Sequence, residues 1–277
     1  GGYKPKELTV QFVPSQNAGT LEAKAKPLEK LLSKELGIPV KVSVSTNYNT
    51  IVEAMKSKKV DVGFLPPTAY TLAHDQKAAD LLLQAQRFGV KEDGSASKEL
   101  VDSYKSEILV KKDSKIKSLK DLKGKKIALQ DVTSTAGYTF PLAMLKNEAG
   151  INATKDMKIV NVKGHDQAVI SLLNGDVDAA AVFNDARNTV KKDQPNVFKD
   201  TRILKLTQAI PNDTISVRPD MDKDFQEKLK KAFIDIAKSK EGHKIISEVY
   251  SHEGYTETKD SNFDIVREYE KLVEDMK

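Results

Sequence analysis

The 277 residues suffice for two lobes of roughly 100–150 residues each, and 39% hydrophobic against 31% charged residues is the balance of a folded globular protein rather than a disordered one. The absence of cysteine excludes disulfides, thiolate metal sites, thiol nucleophiles and iron–sulfur clusters together. The net charge of +5 is a small surplus of 45 basic over 40 acidic residues. The longest basic stretch, Lys111 to Lys126, is interrupted by Asp113 and Asp121, so a solvated surface is expected and no nucleic-acid partner. No window approaches the ~20 apolar residues that span a bilayer. The opening Gly1-Gly2-Tyr3-Lys4-Pro5-Lys6 has no apolar leader region, as expected of a mature chain from which a leader has been removed.

In chain order, Leu8 to Val13 reads as a buried strand running into Pro14-Ser15-Gln16-Asn17-Ala18-Gly19-Thr20. A helix is predicted from Leu21 to Leu36, stopped by Gly37. A second strand, Val40 to Val44, leads through a polar loop holding Tyr48 into a helix from Thr50 to Ser57. Val60 to Leu65 closes the unit as a third strand. The same plan restarts at Lys126. A strand to Gln130 enters the loop Asp131 to Thr139, a helix stops at Gly150, and a strand spans Lys158 to Val162. The loop Lys163-Gly164-His165 follows, then a helix from Asp166 to Leu173 and a strand from Val177 to Val182. An Ala-Gly pair in the first loop, the glycine stop and the Val-Asp opening of the third strand recur in one order. That repetition predicts two βαβαβ lobes, each with a mostly parallel sheet and right-handed crossovers.

Ligands of such sheets sit beyond the carboxyl ends of the strands, so two facing lobes place a cleft between them. The chain is expected to cross outward near Tyr104 to Val110 and to return through Leu204 to Val217. The lobes are then residues 1–105 with 214–277, and residues 106–213, with the helical tail on lobe one. Two crossings imply closure about a hinge.

The sharpest candidate site is Thr133-Ser134-Thr135-Ala136-Gly137-Tyr138, three hydroxyls and a glycine ahead of a helix. Free N–H groups and a partial positive charge at a helix N-terminus suit an anion, although one hydroxyl is also what an ordinary N-cap requires. The loop holds no Lys or Arg, which points to a site of neutral donors. Thr68 either caps the helix after Pro66-Pro67 or faces the cleft. Tyr48, Tyr104 and His165 fall at loop or crossing positions beside it. Asp185 and Asp213 either pair with a cationic amine on the ligand or simply form Asn-Asp turns. The remaining histidines, His74, His243 and His252, lack metal-ligand spacing. No phosphate-binding glycine loop, dinucleotide pattern or nucleophile elbow is present. No catalytic role, cofactor or metal is expected.

From Leu8 to about Tyr255 the sequence resembles the phosphonate, phosphite and phosphate binding proteins of ABC importers. The resemblance is carried by Val13-Pro14-Ser15-Gln16, Val60-Asp61, Tyr104 with Ser106, Thr133 to Tyr138, Gly164-His165 and Ile210-Pro211-Asn212-Asp213. It implies an α/β, two-lobed fold of the periplasmic-binding-protein type II class. It also implies that Thr133, Ser134 and Thr135 hold phosphorus oxygens, with His165 and Tyr104 beside them. The loop departs from the family's Ser-Thr-Ser-Gly pattern, with Thr135-Ala136 where other members have Ser and Gly. Members that take aminoalkyl phosphonates use acids for the amine, and Asp185 and Asp213 look like the matching positions. The expected cargo is thus a phosphonate such as 2-aminoethylphosphonate. An acid near Asp213 also occurs in members that prefer phosphite. The expected partners are a permease and its ATPase. The expected setting is extracytoplasmic, in the periplasm or as a lipid-anchored, monomeric protein on a Gram-positive cell. The alternatives are another anion (phosphite, phosphate or a sulfonate) or the ligand-sensing ectodomain of a receptor. A deaminase that carries its cofactor on cysteine is excluded by composition, and no helix-turn-helix precedes Leu8 to suggest a transcriptional regulator.

Overall fold

A computed structural model describes all of residues 1–277 and builds the repeated plan twice. In lobe one, β1 (Leu8–Phe12), α1 (Ala18–Ala25), α2 (Leu28–Leu36), β2 (Val40–Val44), α3 (Tyr48–Lys56), β3 (Val62–Leu65) and α4 (Pro67–Asp75) lead into a long hairpin, β4 (Asp80–Val90) and β5 (Ala96–Val101). The single helix expected over Leu21 to Leu36 is two helices. Pro27 lacks an N–H and its ring blocks the preceding carbonyl, so the chain breaks there. Helix α3 opens two residues early because Asn47 caps it, its side chain accepting from Thr50 N–H at 2.8 Å while the Thr50 hydroxyl answers Asn47 N–H. Tyr48 is therefore a helical residue, not a loop residue.

The outward crossing runs through β6 (Ser103–Tyr104) into β7 (Ser106–Lys111). Lobe two continues with β8 (Lys126–Leu129), a wide turn over Thr135–Thr139, α5 (Phe140–Ala149), α6 (Ala153–Asp156), β9 (Lys158–Asn161), α7 (His165–Leu173), β10 (Ala179–Phe183), α8 (Val197–Asp200) and β11 (Thr201–Leu206). Both lobes end their first long helix on a left-handed glycine, Gly37 at φ 72° and Gly150 at φ 66°. The recurring aspartate has one job in both. Asp61 accepts from Thr9 N–H and Asp178 from Lys126 N–H, each at 2.9 Å, tying the start of the third strand to the first.

The chain returns through β12 (Ile210–Pro211), which pairs with β6 as a two-stranded hinge ribbon, Tyr104 opposite Ile210. Buried Asn212 fixes that ribbon to lobe one, its amide donating to Ala85 O and Val101 O at 2.9 and 2.7 Å. Next come β13 (Thr214–Val217), α9 (Lys223–Lys238), α10 (Lys240–Tyr250), β14 (Gly254–Thr256) and α11 (Asp264–Glu274).

The lobe-one sheet runs β14-β4-β13-β3-β1-β2, and the lobe-two sheet β11-β7-β10-β8-β9. In each, the first strand of the repeated plan, β1 or β8, lies between its second and third. The next strand over, β13 or β7, is the one that enters the lobe from a crossing. The sheets are mixed rather than mostly parallel: only β2-β1-β3 and β9-β8-β10 pair in parallel. The rest is antiparallel, because the hairpin and the crossing strands reverse direction. Alternation along β10 sends Ala179 and Ala181 to one face of lobe two and Ala180 and Val182 to the other, each face with its own apolar core.

The tail departs from expectation. Helices α9 and α10 and strand β14 pack on lobe one, but α11 straddles both lobes. At its start, Phe263 packs against Tyr70 at a tilt, with ring centres 5.0 Å apart. At its end, Val273 and Met276 enter the lobe-two core, and the Asn152 amide donates to Met276 O at 2.9 Å. Residues 264–277 thus form a third connection between the lobes.

Candidate ligand cleft

The lobes meet through hydrogen bonds across their facing loops. Thr68 N–H, in the first turn of α4, donates to the Thr135 hydroxyl at 2.7 Å, and His165 N–H donates to Ser15 O at 3.0 Å. The second contact depends on Gly164, whose φ of +107° suits only glycine and whose missing Cβ would stand 3.3 Å from the Gln16 backbone.

Between these contacts lies an inner cavity of about 40 Å³, lined among others by Tyr48, Tyr104, Ser134, Thr135, Arg87 and Asp213. One water needs ~10–15 Å³ on this measure, so the space suits a molecule of a few heavy atoms. The Ser134 oxygen accepts from Gly137 N–H at 3.1 Å and the Thr135 oxygen from Thr68 N–H. Each hydroxyl therefore keeps its own proton to donate. The turn behind them opens into α5 and already takes up the first donors there, Thr139 N–H bonding Ser134 O at 3.2 Å and Phe140 N–H bonding Thr135 O. The side-chain hydroxyls are therefore the donors this wall offers. Burial pushes both phenols far up, opposed at Tyr48 by the Ser134 hydroxyl and reinforced at Tyr104 by the charge of Asp213, so both stay protonated donors.

Asp213 supplies the opposite chemistry. Burial pushes its carboxyl up, but the hydrogen bond from His252, its charge when protonated and the charge of Arg87 outweigh that and hold it below the ordinary aspartate value. Burial lowers the pKa of His252 in turn, so near neutral pH the imidazole acts as an uncharged hydrogen-bond partner. His252 Nδ1 pairs with the Tyr255 hydroxyl at 3.0 Å and Nε2 lies 3.3 Å from Asp213, which orients the imidazole. The site thus combines several hydroxyl donors, a guanidinium and one ionised acceptor.

Sequence-predicted residues fall on and off this wall. Ser134, Thr135, Tyr48, Tyr104 and Asp213 line the cavity. Thr133 does not: its hydroxyl and N–H both turn to Asp131 at 2.9 and 3.0 Å. Gly137 gives room to the Gln130 side chain rather than to a ligand, since a Cβ there would stand 2.5 Å from Gln130 Nε2. Thr68 neither caps α4, whose N-cap is Pro66, nor lines the cavity; it joins the lobes. His165 is buried behind the wall, its Nδ1 facing Gln130 Nε2 at 2.8 Å and Phe183 N–H at 3.1 Å. Burial and then the charge of Arg87 lower its pKa to about 3, so it stays neutral. The Asp185 carboxylate is occupied by a bidentate pair with Arg187, at 2.8 and 2.6 Å, and lies on a separate outer cavity of about 690 Å³. The expected Asp185–Asp213 pair for an amine is not assembled.

Sequence reasoning missed Arg87. It sits in the long hairpin with no motif around it, and only the fold of β4 over the hinge brings it to the cleft. Ser15 and Gln16 also line the cavity, and their Val-Pro-Ser-Gln segment was the available signal.

Two α/β lobes on a two-segment hinge, facing each other across a small polar cavity, define the two-lobed fold of solute-binding proteins. A family model described as ABC transporter, phosphonate, periplasmic substrate-binding protein matches residues 10–263. The chain belongs to this phosphonate-binding family of periplasmic substrate-binding proteins.

It is 32% identical over 187 residues to the phosphate-import protein PhnD of Mycolicibacterium smegmatis, a match covering 65% of this chain and 56% of that relative. It is 25% identical over 240 residues to the phosphonates-binding periplasmic protein of Escherichia coli, covering 85% and 68%. The solved structure of PhnD1 from Prochlorococcus marinus in complex with methylphosphonate shares the fold with a TM-score of 0.83 at 21% identity, covering 98% of this chain and 99% of that one. The binding component of a phosphonate transporter from Pseudomonas aeruginosa does so with a TM-score of 0.80 at 21% identity, covering 98% and 87%. No helix is long and apolar enough to cross a membrane.

Proposed function

We propose that this chain is the ligand-capturing component of an ABC importer and that its cargo is a small phosphorus oxyanion: a phosphonate with a short substituent, phosphite or phosphate. The observation that carries the reading is the convergence of the Ser134 and Thr135 hydroxyls with the ionised Asp213 in one small cavity. Hydroxyl donors suit an anion with several acceptor oxygens. A carboxylate among them requires a ligand that still carries an O–H, which a monoanionic phosphorus acid has and sulfate at neutral pH lacks. The names of the relatives, one for phosphate and one for phosphonates, support the class of cargo without choosing within it.

Ligand bound to one lobe favours the shut state through contacts to both, and the shut form is what a permease with its ATPase would recognise. The protein works outside the cytoplasmic membrane, as a monomer, either in the periplasm or held at the cell surface by a lipid anchor. Calorimetric titration of ligand-stripped protein with methylphosphonate, phosphite, phosphate, 2-aminoethylphosphonate and sulfate tests the reading. Tight binding of a phosphorus ligand with sulfate silent is expected, lost in the Ser134→Ala/Thr135→Ala double variant. Silence of every phosphorus ligand in a folded protein overturns it.

A further inference from the structure

Arg87 is the one charged side chain that lines both the inner and the outer cavity, and it is only 9% exposed. Its guanidinium lies over two rings, 4.7 Å from the centre of Tyr104 and 5.5 Å from that of Phe183. It donates to no protein acceptor. The other buried arginines are fully engaged: Arg187 grips Asp185, and Arg218 grips Asp61 and Asp220. Asp213 lies near enough to feel its charge, but a buried guanidinium whose donors make no hydrogen bond is costly unless something else meets them. The two ring contacts hold the guanidinium at the cleft without using its N–H donors.

We propose that Arg87 is a specificity-determining residue that reads the substituent on phosphorus, admitting a compact neutral or anionic one and rejecting a cationic amine. The inference rests on the phosphorus-oxyanion reading above and deepens it. The inner cavity has room for the oxyanion and little more. A longer substituent must extend toward the outer cavity, whose wall shares Gln16, Arg87, Tyr104, Phe183 and Ser251 with the inner one. An ammonium on that path meets a fixed like charge in a poorly solvated place, where charges act strongly. Of the acids on the outer cavity, Asp185 is committed to Arg187 and Glu253 to His243, and the exposed Glu248 shares that wall with Lys24, Lys105 and Lys192. Asp213 lies only on the inner cavity, where its carboxylate faces His252. A carboxylate on the same path instead meets a planar fork that matches it in a bidentate way.

The test compares substituents of opposite charge on one phosphonate: 2-aminoethylphosphonate against phosphonoacetate, with methylphosphonate as the neutral reference. Each is titrated calorimetrically into wild type, Arg87→Met and Arg87→Lys, with thermal melts to check folding. The wild type should bind 2-aminoethylphosphonate at least ten-fold more weakly than methylphosphonate and phosphonoacetate. Arg87→Met should erase that discrimination, weakening phosphonoacetate most, and Arg87→Lys should keep its direction. Wild type that prefers the amine, or an Arg87→Met variant that shifts all three ligands equally, overturns the role of Arg87 and leaves the cargo class standing. If Arg87→Met does not fold, the wild-type order and the lysine variant decide. Silence of all three ligands, and of phosphite and phosphate, overturns the cargo class and this inference together.

Discussion

The N–H of Thr68 and the hydroxyl oxygen of Thr135 stand 2.7 Å apart, one in each lobe, so a residue of the proposed oxyanion site is also a fastener between the halves. Replacing Thr135 by Val keeps its shape and removes both functions. A hydrogen bond to a charged group contributes about 1.5–3 kcal/mol, so affinity should fall by about 10–100-fold. Ser134→Ala should cost a similar amount. Thr133→Ala is the contrast: its hydroxyl bonds Asp131, so it should lower the melting temperature slightly and leave affinity within about two-fold. Titration of the three single variants separates these roles.

Gly164→Ala should weaken binding although Gly164 itself does not line the cavity. The backbone at φ +107° is strained for any side chain, and the added Cβ presses on Gln16 across the cleft. The shut state is then penalised by about 1–3 kcal/mol. Small-angle scattering should show a larger radius at saturating ligand than wild type has.

Affinity should depend on pH through the ligand. Asp213 is ionised throughout the neutral range because its carboxyl is held below the ordinary value. Only the protonated monoanion of the ligand then satisfies it. Above the ligand's own second pKa, the dissociation constant should rise up to about ten-fold per pH unit. Asp213→Asn should flatten that slope. A flat wild-type profile would remove Asp213 from the role of acceptor.

Glu270, on the helix that straddles both lobes, accepts a hydrogen bond from Thr71. Burial raises its carboxyl to about 7, the Thr71 hydroxyl opposing. A folded-state pKa above the unfolded value of about 4.3 means that the folded protein holds the extra proton. Stability should therefore fall as pH rises from about 4.5 through 7 and be level above. Glu270→Gln should remove that slope and gain about 1–2 kcal/mol at pH 8, after allowance for partial solvent screening. Urea unfolding at pH 5 and pH 8 measures both effects.

The two lobes were legible because their signals are local. Gly37 and Gly150 stop helices by their own backbone freedom, and Asp61 and Asp178 recur because each closes the same backbone contact. The hydroxyl loop was legible for the same reason, though which hydroxyl faces the ligand depends on one Asp131 turn that redirects Thr133. Three features were not legible. Arg87 reaches the cleft through a hairpin whose path only tertiary packing sets. Asp185 looked free in sequence, yet its partner Arg187, two residues on, folds back over it in the lobe interior. The amphipathic pattern of α11 requires an apolar partner but does not name one, and the helix divides its contacts between Tyr70 and Phe263 on one side and the lobe-two core on the other.

That division has a mechanical result. A body held at one place can swing and twist in any sense, whereas a body held at two separated places turns only about the line joining them. The β6–β12 ribbon and the far end of α11 are two such holds on lobe two. Opening should then be a door's motion with a single axis, with solute entering along the free edge opposite it. Cutting the chain before Asp264 should leave lobe two on the ribbon alone, free to wobble as well as swing.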